Sequence, residues 1–415
     1  MSTMNDRYQD ELIRHAVETE RLKGGAVDRA IGILNETEDD LEALIRTRLG
    51  RLEPGAAAYD RQLMRLNSLL KSVRDQRAAT WLAFKKSTRK EMTDFAADEV
   101  GFVQRAFTTA ATIEDLALVG PLTSAVKTAV TTRPFQGAPL NNWFRGLEAA
   151  DQKGLERAIR TGFIEGETID QIVRRVRGTR ANKFTDGVLQ ITRRNAEAVV
   201  RTGITHSATQ ARDAVFQQNS DIILAQRWTS TLDGSTTPIC QARDGKVSVP
   251  EGKPVPPGSV LLSPPFARPP AHVGCRSIMI GIVNPEGVVG NRPFVRDKAT
   301  GRETRFRQMA QNKAGARWKS MTPQQRTSAM RRTRKEWANE NIGTVPARTT
   351  YPQWLKRQPA AFQNEVLGGV TRGRLFRQGK LPIEKFVDRS GRRYNLKELR
   401  QREAEAFRAA NINQN

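Results

Sequence analysis

The stretch from Arg227 to Ile282 constrains the fold of this chain more than any other, because it holds both cysteines and one of only three histidines in 415 residues. It opens as RWTSTLDGSTTPICQARDGKV and closes as PPAHVGCRSIMIGI. Between the halves stand Pro250, Pro254, Pro256, Pro257, Pro264, Pro265, Pro269 and Pro270, so this span cannot be a helix and makes a poor central strand. It reads as an extended excursion whose ends must be pinned together. Cys240 ends the first half, and His272 with Cys275 gives an H-x-x-C spacing that can bring two ligands onto one centre. These three could bind a structural zinc, with Asp233, Asp244 or His206 as the fourth ligand. Two reduced buried cysteines, or a disulfide, are the other readings.

A nucleophilic reading would set His206 or His272 as base beside a Cys240 or Cys275 thiolate, but no recognised nucleophile motif surrounds either cysteine. The chain also lacks G-x-x-x-x-G-K-[ST] and H-E-x-x-H, which argues against an ATP-driven motor and a metalloprotease. Asp233-Gly234 and Asp244-Gly245 are turn dipeptides, expected to shape two hairpins bracketing Cys240. Arg276 is expected to brace a carboxylate such as Asp233 through a forked pair.

The remainder reads as mainly α with a small α+β module: long N-terminal helices, a central module with short strands, and a basic helical C-terminal region. The expected divisions are 1–130, 140–285, 286–345 and 346–415. In the first, Leu44, Ile45, Leu49 and Leu52, then Leu63, Leu66, Leu69, Leu70 and Val73, fall at helical spacing on either side of a Glu53-Pro54-Gly55 stop, which predicts an antiparallel helical hairpin. TTRPFQGAPLNN (131–142) marks a boundary. Thr168 is an N-cap candidate, and the segment it opens could be the second helix of a DNA-reading helix-turn-helix carrying Arg174, Arg175 and Arg177. A helix is predicted from about Gly187 to Gln218, with strands at TSTLDG, KVSV and SIMIGIV. After Asn284-Pro285, exposed helices on mobile linkers are expected, one starting at Met321-Thr322-Pro323, then a small ordered helical module.

The formal charge of +24 is concentrated. Residues 291–415 hold 29 Lys and Arg against 10 Asp and Glu, a balance of +19. Such a segment points to a polyanion, double-stranded DNA above all, through a salt-sensitive attraction. The residues expected to meet DNA are Arg331, Arg332, Arg334, Lys335, Arg372, Arg374, Arg377, Arg392 and Arg393, and the excess of Arg over Lys favours phosphate pairing. No apolar run approaches the roughly 20 residues of a membrane span, no secretion signal is visible, and two cysteines suit synthesis in a reducing cytoplasm.

Trp228, Asp233, Thr236, Cys240, Asp244-Gly245-Lys246, Pro269-Pro270, His272, Cys275 and Arg276, in this order and spacing, resemble the signature of the Mu F-type head morphogenesis proteins of tailed bacteriophages. The run RRNAEAVVRTGITHSATQARDAVFQQN, centred on Arg201-Thr202 and His206, resembles the helix preceding that signature, so the likeness covers about Arg145 to Val283. Structural roles are expected for Trp228, Asp233, Asp244, Arg201 and Arg276. Relatives carry further cysteines where this chain has Thr237 and Ser277, which implies that hydrogen bonds and packing, with no cofactor, hold the remaining residues. The resemblance implies a non-enzymatic minor capsid protein, with a few copies inside the virion near the portal. Its partners would be the portal protein and the major capsid protein, with no membrane contact during assembly. The rival classes are a virion-delivered enzyme and an internal ejected structural protein. The enzyme would be a Cys/His hydrolase or an ADP-ribosyltransferase: Arg201 and the Thr-Ser-Thr after Trp228 are similar to the latter's pattern, but its Glu-x-Glu is missing.

Overall fold

The computed structural model describes residues 4–51, 59–111, 117–182, 184–263, 268–283, 291–296, 303–346 and 348–412. The Glu53-Pro54-Gly55 stop, Leu52, Pro264, Pro265 and the Asn284-Pro285 break lie outside them. Seven helices come first: α1 (Met4–Asn35), α2 (Glu38–Leu49), α3 (Tyr59–Ala110), α4 (Thr123–Thr132), α5 (Leu140–Ile164), α6 (Ile169–Arg177) and α7 (Val188–Gln218).

The 52 residues of α3 make a rod of about 78 Å at 1.5 Å per residue. Its apolar positions recur at three- and four-residue steps and enter three successive cores. Leu66, Leu69, Leu70 and Val73 pack with α2, α5 and α6, as the sequence stripe predicts. Trp81, Phe84, Met92 and Ala96 pack with α1, α4, α5 and α7. Val103, Phe107 and Ala110 close against Tyr8, Leu12 and Phe216. The α2–α3 pair is therefore one corner of a larger helical assembly. The two-proline stretch 131–142 forms a turn, with Phe135 bridging Ala138, between helices that share a core.

Acids inside the assembly are matched. Asp151 accepts from Arg77 Nε, Trp81 Nε1 and Thr192 Oγ1, each at 2.8 Å. Glu99 lies 2.6 Å from both Arg212 Nε and His15 Nε2. α7 runs through the centre, and every residue from Thr202 to Asp213 is buried, polar ones included. Thr168 caps α6 in a reciprocal box with Gln171, as read from sequence, and α7 follows Gly187 and ends at Gln218, close to the range expected.

The chain then forms β1 (Ala225–Thr229), the short helix α8 (Pro238–Arg243), β2 (Val247–Ser248) and β3 (Ile278–Ile282). The sheet order is β2-β1-β3, antiparallel throughout, with Arg227 opposite both Val247 and Ile280. KVSV and SIMIGIV are thus strands, but TSTLDG is not. Only Thr229 belongs to β1, and the next residues turn so that Ser230 and Asp233 can accept and donate across the loop.

The segment 286–345 departs from expectation. β4 (Asn291–Val295) and β5 (Ile342–Pro346) form an antiparallel ribbon, and the helices between them, α9 (Glu303–Ala314) and α10 (Pro323–Asn341), rise from it as a hairpin. The hairpin has its own apolar contact, Phe306 edge-on to Trp337 at 5.5 Å, so these helices are seated rather than strung on linkers. α10 does start at the Met321-Thr322-Pro323 signal, where Thr322 and Gln325 make a capping box. The last helices are α11 (Tyr351–Lys356), α12 (Ala360–Leu367), α13 (Val370–Arg377), α14 (Leu396–Arg402) and α15 (Ala404–Ala409). Their core, around Trp354, Leu375 and Phe386, also takes in Leu232 and Phe294, so it is continuous with the central module. The fold is mainly α with a small α+β part. Among the described residues no helix is long and apolar enough to cross a membrane.

Candidate functional site

Three chain segments converge beside the sheet. α7 supplies Thr202 and Thr205, whose hydroxyls meet the backbone of the Cys275 loop: Gly274 N–H donates to Thr202 Oγ1 at 2.9 Å, and Thr205 Oγ1 donates to the Cys275 carbonyl at 2.9 Å. α8 supplies Cys240, started by a proline at its first turn. The return of the proline-rich excursion supplies His272 and Cys275 after a cis Pro269-Pro270 bond. Cys240 is thus on a helix, not at a hairpin junction.

The two sulfurs are free thiols 3.8 Å apart, and Cys240 Sγ lies 3.2 Å from His272 Nε2. All three ligand atoms fall within 4.8 Å of one another. His272 Nδ1 is 2.8 Å from the Val273 carbonyl, which calls for a proton on Nδ1 and leaves the Nε2 lone pair facing the sulfurs. Cys240 donates toward Cys275, and that bond together with burial holds its thiol well above the ordinary cysteine value. Cys275 accepts that bond and faces His272, which holds it well below. Burial works against the His272 cation, but the neighbouring Cys275 raises its pKa on balance.

The wall behind the sulfurs is polar and closed. Trp228 Nε1 donates to Ser230 Oγ at 2.9 Å, Ser230 Oγ donates to the Cys240 carbonyl at 2.9 Å, and Ser277 Oγ lies 3.1 Å from Ser230 Oγ. Thr237 and Ser277 border the Cys240 sulfur. A cavity of about 30 Å³ sits between Thr237, Cys240, His272 and Ser277. A groove of about 640 Å³ between α5 and α7, around Trp143, Leu147 and Val199, has no titratable side chain in its lining.

The comparisons with known proteins agree with this geometry on one point. Residues 153–280 match the model of the family described as Phage Mu protein F like protein, about a third of the chain, from α5 to β3. The chain carries a Mu F-like module. The match supports a Mu F-like phage head morphogenesis protein, and with it capsid-assembly partners and a virion location in general terms. No curated protein and no solved structure matches the chain.

Within the Mu F-like module Arg276 does fork onto Asp233, Nη1 to Oδ2 at 2.7 Å and Nη2 to Oδ1 at 2.9 Å. Asp233 also accepts from Ser235 N–H, but Gly234 takes no positive φ, unlike Gly245 at +83°. Asp244 does more than turn the chain. Its two oxygens accept from the backbone N–H of Ser230 and of Tyr351, and from both Nη atoms of Arg292. Neither aspartate is therefore open as a fourth ligand.

His206 is not one either. It is buried on α7 with its ring stacked on Phe135 at 4.7 Å, and burial depresses its pKa to about 4. Arg201 pairs with Glu197 one turn earlier, at 2.9 Å. Among the described residues, then, the side chains of Cys, His, Asp and Glu supply three ligands and no fourth. Arg292 and Tyr351 belong to the site's support and went unread. They lie 48 and 107 residues beyond Asp244, and no local pattern marks them.

The basic residues divide into two sets. Arg331, Arg332, Arg334 and Lys335 are exposed on α10, with the Arg334 guanidinium 5.1 Å from the Phe306 ring centre. Those nearer the C-terminus fasten their own module. Arg372 donates to the carbonyls of Gly368 and Tyr394, Arg374 to Ala410, and Arg393 to Val366. Arg377 binds Gln363 and Asn364, and Arg392 pairs with Asp388 and Glu398. Two of the three α6 arginines are similarly used, Arg175 on Glu165 and Glu167 and Arg177 on Asp39 and Glu42, while Arg174 is exposed, which weakens the support for a base-reading helix there.

Proposed function

We propose that this chain is a non-enzymatic minor head protein of a tailed phage, acting inside the capsid at or near the portal, with the α9–α10 hairpin against packaged double-stranded DNA. The observation carrying the DNA contact is the charge of that hairpin: residues 303–341 hold ten Lys and Arg against three Glu. Arg307, Lys319, Arg331, Arg332 and Lys335 are all exposed there. Packed α-helices and a β-ribbon hold these side chains at fixed spacing, which suits repeated phosphates better than a mobile tail would. Arg372, Arg374, Arg377, Arg392 and Arg393 take a structural part, since their guanidiniums already serve carbonyls, amides and carboxylates.

Against an enzyme stand the full burial of both sulfurs and a 30 Å³ cavity that accommodates a water or an ion but no substrate. The portal protein and the major capsid protein are the expected partners, with several copies of this chain per particle.

Cutting the chain after Gly290 would remove Arg292 from buried Asp244, so charge reversal is the cleaner test. Wild type and an Arg331→Glu, Arg332→Glu, Lys335→Glu variant are compared for retention of double-stranded DNA over a salt series. Losing three phosphate contacts should weaken binding and make the log–log salt slope shallower by roughly three. Equal retention with equal slope removes the DNA contact. Cross-linking in purified particles tests the position, and a chain cross-linked only to the shell far from the portal removes the portal assignment.

A further inference from the structure

We propose that Cys240, His272 and Cys275 hold a single zinc ion, with a water in the adjoining cavity as its fourth ligand. Independently of the DNA contact, this gives the Mu F-like module a metal bolt between α8 and the end of the proline-rich excursion.

Three observations lead there. Tetrahedral zinc with Zn–S near 2.3 Å and Zn–N near 2.0–2.1 Å sets ligand atoms about 3.5–3.8 Å apart. The separations here, 3.8 Å between the sulfurs and 3.2 Å from Cys240 Sγ to His272 Nε2, are those of such a site before slight expansion. The second observation is the imidazole itself. A histidine that binds metal through Nε2 commonly gives its Nδ1 proton to a carbonyl, which fixes the tautomer and aims the lone pair. His272 makes that bond to Val273, and its free nitrogen faces the two sulfurs.

The third is the empty side of the triangle. The 30 Å³ cavity, room enough for a water, borders Cys240 and His272, and Thr237 Oγ1 beside it is buried with no nitrogen or oxygen partner. A metal-bound water there would give that hydroxyl its partner. Thr237 and Ser277, which both line the cavity, thus serve as hydrogen-bonding neighbours of a fourth water ligand. Binding would replace the protons held among the two sulfurs and the imidazole with one dication, so uptake releases protons and weakens as pH falls.

A redox pair fits the geometry less well. Two thiols at 3.8 Å could oxidise to a disulfide, but that leaves His272 held in a ligand's tautomer with nothing to bind, and both sulfurs are out of reach of an attacking partner.

The test is metal content and cobalt spectroscopy of the full chain. Purified from zinc-supplemented cells under reducing conditions, it should carry one zinc per chain. Its apo form should take up Co²⁺ with the thiolate-to-cobalt charge-transfer absorption and visible bands of a tetrahedral two-sulfur site, and zinc should bleach both. Cys240→Ser, Cys275→Ser and His272→Asn should each weaken uptake by more than the about tenfold that loss of an outer-shell partner costs. Should a serine variant fail to fold, the wild-type cobalt spectrum still decides. A folded wild-type chain that neither carries zinc nor gives the cobalt bands overturns the proposal. So does a Cys240–Cys275 disulfide in the reduced preparation, or metal uptake that survives all three substitutions.

Discussion

His206 shows how much one buried residue can depart from its apparent chemistry. In the sequence it stands amid small polar residues and invites a role as base or ligand, yet α7 is enclosed on all sides there and the ring stacks on Phe135. Burial lowers its pKa from 6.5 to about 4, so between those values the unfolded chain binds a proton that the folded chain refuses. Its contribution is intact above about pH 6.5 and is lost as pH falls toward 4, by up to about 3 kcal/mol at 1.36 kcal/mol per unit. Urea unfolding of wild type and His206→Phe at pH 7 and pH 4.5 should show the wild type losing more stability on acidification. Parallel losses would mean the imidazole is already charged inside the fold. The pairing of Arg276 with Asp233 was legible because both stand among the rare residues around the cysteines. That of Arg292 with Asp244 was not, although the separations of 43 and 48 residues are alike, because Arg292 lies outside that stretch and spacing carries no information about tertiary return.

At the scale of elements, capping chemistry was the most readable signal. Thr168 stands before an apolar periodic stretch and Thr322 within the Met321-Thr322-Pro323 start, and both make reciprocal boxes with a glutamine three residues on. Their consequences differ. α6 has nine residues and buries Ile172, Val173 and Val176 in the core shared with α2, α3 and α5, so Thr168→Ala should cost about 1 kcal/mol of global stability in urea unfolding. α10 is mostly exposed, and Thr322→Ala should raise hydrogen exchange in its first turn while leaving the urea midpoint nearly unmoved. Equal midpoint shifts would show the hairpin to be as tightly coupled to the core as α6. The ribbon of β4 and β5 was missed for a physical reason. NRPFV and IGTVP each contain a proline, which belongs only on an edge, and a two-stranded ribbon is all edge. β1 was misplaced by a few residues because AQRWT alternates poorly, being buried on both faces apart from Arg227.

Taken whole, the molecule is tied together by a few buried charges. Arg292 reaches Asp244 from β4, donates to the Thr349 carbonyl at 2.9 Å, and also bonds the Ser230 carbonyl, while Tyr351 O–H donates to the Asp233 carbonyl at 2.7 Å. Gly391, at φ +88°, brings the C-terminal turn so close to α8 that a Cβ there would meet Ile239 Cβ at 2.5 Å. Asp244→Asn or Arg292→Met should each cost about 3–5 kcal/mol by leaving the other partner buried, and the double substitution should recover part of that loss in a urea double-mutant cycle. Additive losses would show that the two side chains do not depend on one another. The helical class and the Cys/His knot could be read in the chain because they rest on local period and rare residues. The C-terminal half's grip on the centre could not, since it rests on packing between distant surfaces. That grip also bears on synthesis. A ribosome exposes Asp244 well before Arg292, 48 residues later, and before Tyr351, 107 residues later. Until both emerge, the Ser230 N–H is the one of these partners that Asp244 can reach and water must satisfy the rest of its carboxylate, so the centre of this protein closes fully only after the chain beyond β5 has been made.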